Sequence, residues 1–199
     1  MTAKLELKPL SEETFADYET ITKNEGGGGC YCAFWHQKWA NMKGWEEQCK
    51  TRPEKNKAIV LEKMRAGFHV GVMAYENGKP AAWVCAGPLT DFYWTWKRLA
   101  VVGESANKIA GVLCLAVVPD YRGKGLQERL LLALKDYGKL QGWEFLEGYP
   151  FDEEAIKKHG AGVLWCGYPR GYERAGFERL GAHWLSSADA PRSIYRLKL

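Results

Sequence analysis

The stretch from Gly111 to Gln141, GVLCLAVVPDYRGKGLQERLLLALKDYGKLQ, constrains the fold more than any other part of the chain. It opens on an unbroken apolar run, Val112 to Val118, suited to a strand covered on both faces. Pro119-Asp120 stops that strand, because proline has no N–H to give to a ladder. Arg122-Gly-Lys-Gly125 follows, and then Leu126, Leu130, Leu134 and Tyr137 share one helical stripe. A buried strand, a basic glycine turn and a helix together make a holder for phosphate. The glycines let backbone N–H groups approach the ligand, the helix start carries partial positive charge, and Arg122 and Lys124 add full charges. A phosphorylated ligand is therefore expected. Two nucleotide readings fail: Glu128 stands where a dinucleotide turn needs glycine or alanine, and no Gly-Lys-Ser/Thr exists for a P-loop.

The rest of the chain bounds the class. Its 199 residues, 46% apolar and 26% charged, suit one domain, residues 1–199, with a sizeable core. No apolar run is long enough to span a membrane, and MTAKLELKPLSEE has no apolar segment of the signal-peptide kind. Six scattered cysteines then read as reduced thiols, and the expected location is cytoplasmic. A net charge of +4 without a dense basic block does not point to nucleic acid, and nothing points to a membrane partner. Nine tryptophans imply a large aromatic surface, in the core or around a pocket. The oligomeric state is not legible; a homodimer is admissible.

Taken in order, Leu5 to Lys8 alternates as a strand, and Ser11-Glu-Glu opens a helix fading near Thr22. Four glycines, 26 to 29, break regular structure, and an aromatic, cysteine-bearing segment follows, so that residues 24–50 form a distinctive region. A helix is expected from Pro53 to Ala66, and strands over Val70–Glu76 and Ala81–Ala86 flank the hairpin signal Asn77-Gly78. Residues 88–102 read equally as helix or aromatic flap. After the central stretch, Trp143–Tyr149 is a strand, Phe151–Lys158 a short helix, Gly160–Gly167 a loop and Pro169–Ala175 a helix. Phe177–Trp184 and Ser193–Leu197 close the fold as strands. The expected class is α/β: a mixed, mostly antiparallel sheet flanked by helices.

These residues resemble the GNAT-type N-acetyltransferases. That family's coenzyme A signature, Gln/Arg-x-x-Gly-x-Gly/Ala between a long strand and a helix, is matched at Arg122 and Gly125 and departed from at Gln127. A second mark, Tyr172-Glu-Arg-Ala-Gly176-Phe177, is similar to the family's Tyr-x-x-x-Gly-Phe before the closing strands. The likeness covers Val70 to Leu199 well and the first fifty residues in outline; one bacterial branch of the superfamily also carries a segment like Cys30-Tyr-Cys32-Ala-Phe-Trp35. It implies an acyl-CoA N-acyltransferase fold, acetyl-CoA as cosubstrate, no metal, and a primary amine, small molecule or peptide, as acceptor. The coenzyme-binding core would span residues 108–142. The backbone of Leu115, Ala116 and Val117 would pair with the pantetheine amides, and Arg122, Gly123, Lys124, Gly125, Leu126 and Gln127 would hold the pyrophosphate.

For catalysis the likeness implies Tyr172 as the general acid that returns a proton to the departing thiolate; a phenol of ordinary pKa about 10 can serve, and a packing tyrosine is the alternative. The central strand carries no carboxylate, so a base must come from elsewhere: Glu147 is favoured, with Asp152 and His36 as candidates and a water relay also sufficient. Trp35, His36 and Asp152 are the expected acceptor contacts. The glycine run with CYCAFWHQKW reads as a mobile aromatic lid, or else Trp35, Trp39 and Trp45 cap the core. Cys114 is mid-strand, where burial favours a small core residue over a nucleophile. Two rivals stand beside the enzyme: a non-catalytic acyl-CoA sensor, and a metal-binding regulator using Cys30, Cys32 and Cys49.

Overall fold

The computed structural model describes residues 4–24, 28–93, 107–184 and 186–199. Its strands are β1 (Leu5–Pro9), β2 (Val72–Glu76), β3 (Lys79–Pro88), β4 (Ile109–Val117), β5 (Phe145–Gly148), β6 (Glu178–Ala182) and β7 (Ser193–Lys198). They form one sheet in the order β1-β2-β3-β4-β5-β7-β6, antiparallel throughout except between β4 and β5. The helices are α1 (Phe15–Asn24), α2 (Met42–Thr51), α3 (Pro53–Arg65), α4 (Leu126–Leu140), α5 (Glu153–His159) and α6 (Pro169–Arg174). The expected mixed, mostly antiparallel sheet with flanking helices is the fold that forms.

Strand alternation sends side chains into two cores. On one face Met73, Tyr75, Trp83 and Cys85 pack with Tyr18, Ile21, Val60 and the segment around Trp35. On the other, Val72, Ala74, Val84 and Val112 pack with Leu126, Leu130, Leu131 and Leu134 of α4. Each of those leucines is buried, and burying such a side chain contributes about 1.5–3 kcal/mol. The predicted apolar stripe is thus what seats α4. Its end is also as read: Gly142 takes φ +74° and the Trp143 N–H donates to the Gly138 carbonyl at 3.0 Å.

Two irregularities shape β4. Cys85 pairs with Cys114 but Ala86 pairs with Val112, so Leu113 is an extra residue, a bulge. Beyond it the faces exchange: Ile109 and Leu113 join the first core, and so do Cys114 and Ala116. The parallel ladder to β5 runs only from Ile109↔Phe145 to Val112↔Gly148, while β4 continues to Val117. The sheet therefore splits between β4 and β5.

Several boundaries differ from expectation. Strand β5 is shorter than Trp143–Tyr149 because Trp143 packs on Tyr137 at the end of α4. Residues Ser11 to Thr14 form a turn, with the Ser11 N–H bonded to Thr14 Oγ1, and the first helix starts at Phe15. Helix α2 was not read from the sequence; Asn41 caps it, its side chain accepting from the Gly44 N–H at 2.9 Å. Gly160–Cys166 is a 3₁₀ segment, not a loop. Of the ambiguous stretch 88–102, Leu89–Asp91 is a 3₁₀ turn, and residues 94–102 lie outside the described residues, as do 25–27 of the glycine run. No helix among the described residues is long and apolar enough to cross a membrane.

Candidate functional site

The split opens into a cavity of about 1330 Å³. Its first wall is β4 past the bulge: Cys114, Leu115, Ala116 and Val117. Their β5-facing backbone edge lies beyond the last residue paired with β5, where Leu115 can form a short ladder with an extended ligand, while the Val117 carbonyl accepts from Arg122 Nε at 2.9 Å. The second wall is the glycine turn and the start of α4, with Arg122, Gly123, Gly125, Leu126 and Gln127 lining it. Gly123 and Gly125 have φ of +70° and +71°, and a Cβ on either would meet nothing within 4 Å. They stand over open space in a left-handed turn at a helix N-terminus, which is how N–H groups are presented to an anion. Eight of the nine predicted coenzyme residues line this cavity. Lys124 is the exception, with its Nζ donating to the Asp120 carbonyl at 2.7 Å.

The departure at Gln127 has a structural reason. Its amide donates to the Tyr168 carbonyl and accepts from the Tyr168 N–H, both at 2.9 Å. A Cβ on Gly167 or Gly171 would meet the Gln127 side chain at 2.7 and 2.3 Å. The long side chain replaces the small residue of the signature and clamps α4 to the chain entering α6.

Aromatic groups form the remaining walls. Phe34, Trp35, Trp39 and Trp45 line the cavity from one side and pack edge-on against one another, with Trp39 and Trp45 centroids 4.6 Å apart. The segment is anchored: Tyr18 donates its hydroxyl to the Tyr31 carbonyl at 2.6 Å, and Trp83 Nε1 donates to Cys32 Sγ at 3.4 Å. The described part of the expected lid is thus a fixed cap that also lines the pocket. Tyr149, Trp165, His183, Trp184 and Arg192 close the far side. No sequence signal marked His183 or Arg192; they come from loops beside β6 and β7 that only the fold brings to the cavity.

The predicted catalytic and acceptor residues are not all brought together. Trp35 lines the cavity, but His36, Glu147, Asp152 and Tyr172 do not. Both ring nitrogens of His36 are buried without a hydrogen-bond partner, and the ring lies 5.1 Å from that of Phe92. Burial, aided by Lys63, pushes its pKa down to about 3, so it stays neutral. Asp152 accepts from the Ser193 hydroxyl at 2.7 Å and from Arg179 at 3.3 Å. Tyr172 is fully buried, donates its hydroxyl to the Cys166 carbonyl at 2.9 Å, and packs on Phe177 and Tyr195. Burial holds its phenol well above the ordinary range.

Glu147 is also fully buried, but it connects to the cavity through a neighbour. Arg196 Nε donates to Oε1 at 2.6 Å, and the Tyr149 hydroxyl donates to Oε2 at 2.8 Å. Tyr149 lines the cavity, so the buried carboxylate is one residue removed from it.

Cys30, Cys32 and Cys85 lie together, with the Cys32 side chain in hydrogen-bond reach of the other two. Cys32 accepts from Trp83, Cys49 accepts from Asn56 Nδ2 at 3.6 Å, and Cys30 Sγ accepts from the Cys32 N–H at 3.5 Å. No group of three His, Cys, Asp or Glu arranged for a metal occurs among the described residues. Cys114 lines the cavity from β4.

Comparison with known proteins supports the same fold. No curated protein sequence matches the chain. Among solved structures it is similar to the aminoglycoside acetyltransferase AAC(6')-Ib in complex with ribostamycin and coenzyme A, at 16% identity and TM-score 0.52, covering 98% of this chain and 93% of that one. It is similar to YncA of Salmonella typhimurium with its cofactor acetyl-CoA, at 13% identity and TM-score 0.53, covering 98% and 94%. A protein of Desulfovibrio desulfuricans described as a GNAT-family acetyltransferase gives 19% identity and TM-score 0.55, covering 98% of each. The model of the acetyltransferase (GNAT) family matches residues 17–159. That match takes in the hairpin, the bulged strand, the glycine turn and α4, and the chain belongs to the GNAT acetyltransferase family.

Proposed function

We propose that residues 1–199 act as one enzyme domain that moves the acetyl group of acetyl-CoA to a primary amine by direct attack in a ternary complex. The observation that carries this reading is the split between β4 and β5, with a strand edge beyond the ladder and an open glycine turn side by side on one cavity. An extended amide chain ending in a pyrophosphate matches both features at once. The backbone of Leu115 to Val117 aligns pantetheine; the N–H groups of Gly123 to Gln127, with Arg122, hold the pyrophosphate. Lys124 supplies charge at the rim. The likeness to proteins solved with coenzyme A or acetyl-CoA supports the same cosubstrate.

The acceptor enters from the aromatic side, past Trp35. An ammonium must lose one proton before its lone pair can attack the thioester carbonyl. Tyr149 offers a route: its oxygen takes that proton as its own passes to Glu147, and Arg196 fixes the carboxylate. Attack forms the N–C bond, collapse breaks the C–S bond, and the second proton of the nitrogen ends on the coenzyme thiolate. Tyr172, with its hydroxyl committed to the Cys166 carbonyl, is a positioning residue that ties the 3₁₀ segment to α6.

A thiol-release assay with acetyl-CoA over a broad amine panel tests the reading. Amine-dependent release with matching N-acetylated product is expected. Tight coenzyme binding without release on any amine would instead favour a sensor, and near-stoichiometric zinc in the purified protein would favour a metal-binding regulator.

A further inference from the structure

The cavity contains a charge that the transfer reaction leaves unused. Arg192 is 4% exposed and lines the cavity. Its backbone is fixed on both sides: the N–H donates to Ser186 Oγ at 3.1 Å, and the carbonyl accepts from the His183 N–H at 2.9 Å. The guanidinium sits against the rings of Phe151 and Trp165, 4.4 and 4.9 Å from their centroids, where those two rings meet edge-on. One terminal nitrogen donates to the Tyr149 carbonyl at 2.5 Å and to Cys166 Sγ at 3.5 Å, whereas Nε is buried without a hydrogen-bond partner.

No carboxylate among the described residues pairs with it. Asp152, next to the Phe151 that bridges Arg192, is held by Ser193 and Arg179, and Glu147 is held by Arg196 and Tyr149. Cys166 is a neutral thiol, its pKa pushed up to about 12 by burial, and His183 is neutral, its pKa pushed down to about 3 by burial and by Arg192 itself. A buried, fixed guanidinium with aromatic faces and no counter-charge is costly in the free protein unless an anion arrives to complete it.

The rest of the wall points the same way. Among the described residues, Glu128 is the only carboxylate lining the cavity, and it belongs to the first turn of α4, beside the glycine turn. A polycationic acceptor would find no acidic group on the aromatic side.

We propose that the acceptor is an amine that also carries a carboxylate, as amino acids do, and that Arg192 binds that carboxylate while Trp35 and Trp165 face its apolar body. This rests on the acetyl-transfer reading and names its substrate class. Arginine suits the task because its planar fork meets a carboxylate with two parallel N–H bonds.

The experiment compares matched acceptors on the full-length protein: the twenty amino acids, the corresponding decarboxylated amines, and amino sugars including ribostamycin. A carboxylate-bearing amine is expected to exceed its decarboxylated partner by tenfold or more in kcat/KM, chiefly through KM. In Arg192→Met that ratio is expected to collapse towards one, and in Arg192→Lys to recover in part. Arg192→Met removes an uncompensated buried charge but leaves the Tyr149 carbonyl without its donor, so thermal melts accompany the kinetics to establish that the variant is folded.

Equal or better use of decarboxylated amines or amino sugars would overturn the inference while leaving acetyl transfer intact. If no amine releases thiol, the transfer reading fails, and binding decides the inference separately. Titration of coenzyme-loaded protein with 3-phenylpropionate and its neutral amide should then show the acid at least tenfold tighter, an advantage lost in Arg192→Met. Equal binding of acid and amide, or none, would overturn it.

Discussion

The glycine turn can be tested against a twin in the same helix. Gly125 and Gly142 bracket α4, with φ of +71° and +74°, and a Cβ on either meets no protein atom within 4 Å. Alanine at each position therefore carries the same backbone strain, about 1–2 kcal/mol for an L-residue in the left-handed region. For a chain of this length that lowers the melting midpoint by about 2–8 °C in both variants. Only Gly125 lines the cavity. If its open side is where phosphate sits, the added methyl group displaces the ligand and weakens charge-assisted N–H bonds worth about 1.5–3 kcal/mol. Coenzyme A affinity should then fall about 10- to 100-fold in Gly125→Ala and stay within twofold of the parent in Gly142→Ala. Calorimetric titration with coenzyme A, alongside thermal melts, separates the two effects. Equal affinity in both variants, with equal loss of stability, would refute the phosphate cradle.

Further outcomes follow from the buried groups. Replacing Glu147 with Gln leaves the partly buried Arg196 beside a neutral amide; stability should drop, by at most about 3–5 kcal/mol, and turnover should fall, and an unchanged turnover number in the folded variant would remove Glu147 from the proton path. Tyr172→Phe leaves the Cys166 carbonyl unmet, at about 1–3 kcal/mol, with turnover expected within about threefold; a hundredfold loss of kcat at constant coenzyme affinity would make Tyr172 the proton donor instead. His36 titrates near 6.5 when unfolded and near 3 when folded, so its contribution is present above pH 6.5 and is lost as pH falls towards 3. His36→Phe should flatten the decline of stability over that window, read by denaturant titrations at several pH values, and should leave the pH dependence of turnover unaltered.

How far the sequence carries depends on whether the signal is local. The strand, glycine turn and helix of residues 112–141 were legible because each step is written in adjacent residues: an apolar run, a proline stop, two glycines and a leucine stripe. So were the Asn77-Gly78 hairpin and most of the β4 and glycine-turn walls of the cavity. The cluster of Tyr149, Glu147 and Arg196 was not, because it depends on register across the sheet. Tyr149 reaches Glu147 only because both lie on one face of the same chain segment, and Arg196 meets them only once β7 lies beside β5. Arg192 and His183 sit on loops with no motif, joined by a backbone bond that exists only in the folded chain. Helix α2 was hidden by its composition, since Gly44 and Trp45 obscure a start that Asn41 in fact caps. The bulge at Leu113 left no mark either: a continuous apolar run reads the same whether or not its faces exchange midway.

The central claim is that the cavity between β4 and β5 turns over acetyl-CoA with an amine. The most direct measurement follows both products together, thiol by colorimetry and acetylated amine by mass spectrometry, over the acceptor panel. Amine-dependent release is expected, one acetylated amine per thiol, reduced in step with coenzyme affinity in Gly125→Ala. Coenzyme release that does not depend on the amine, or none with any amine by a protein that binds coenzyme A, would contradict it.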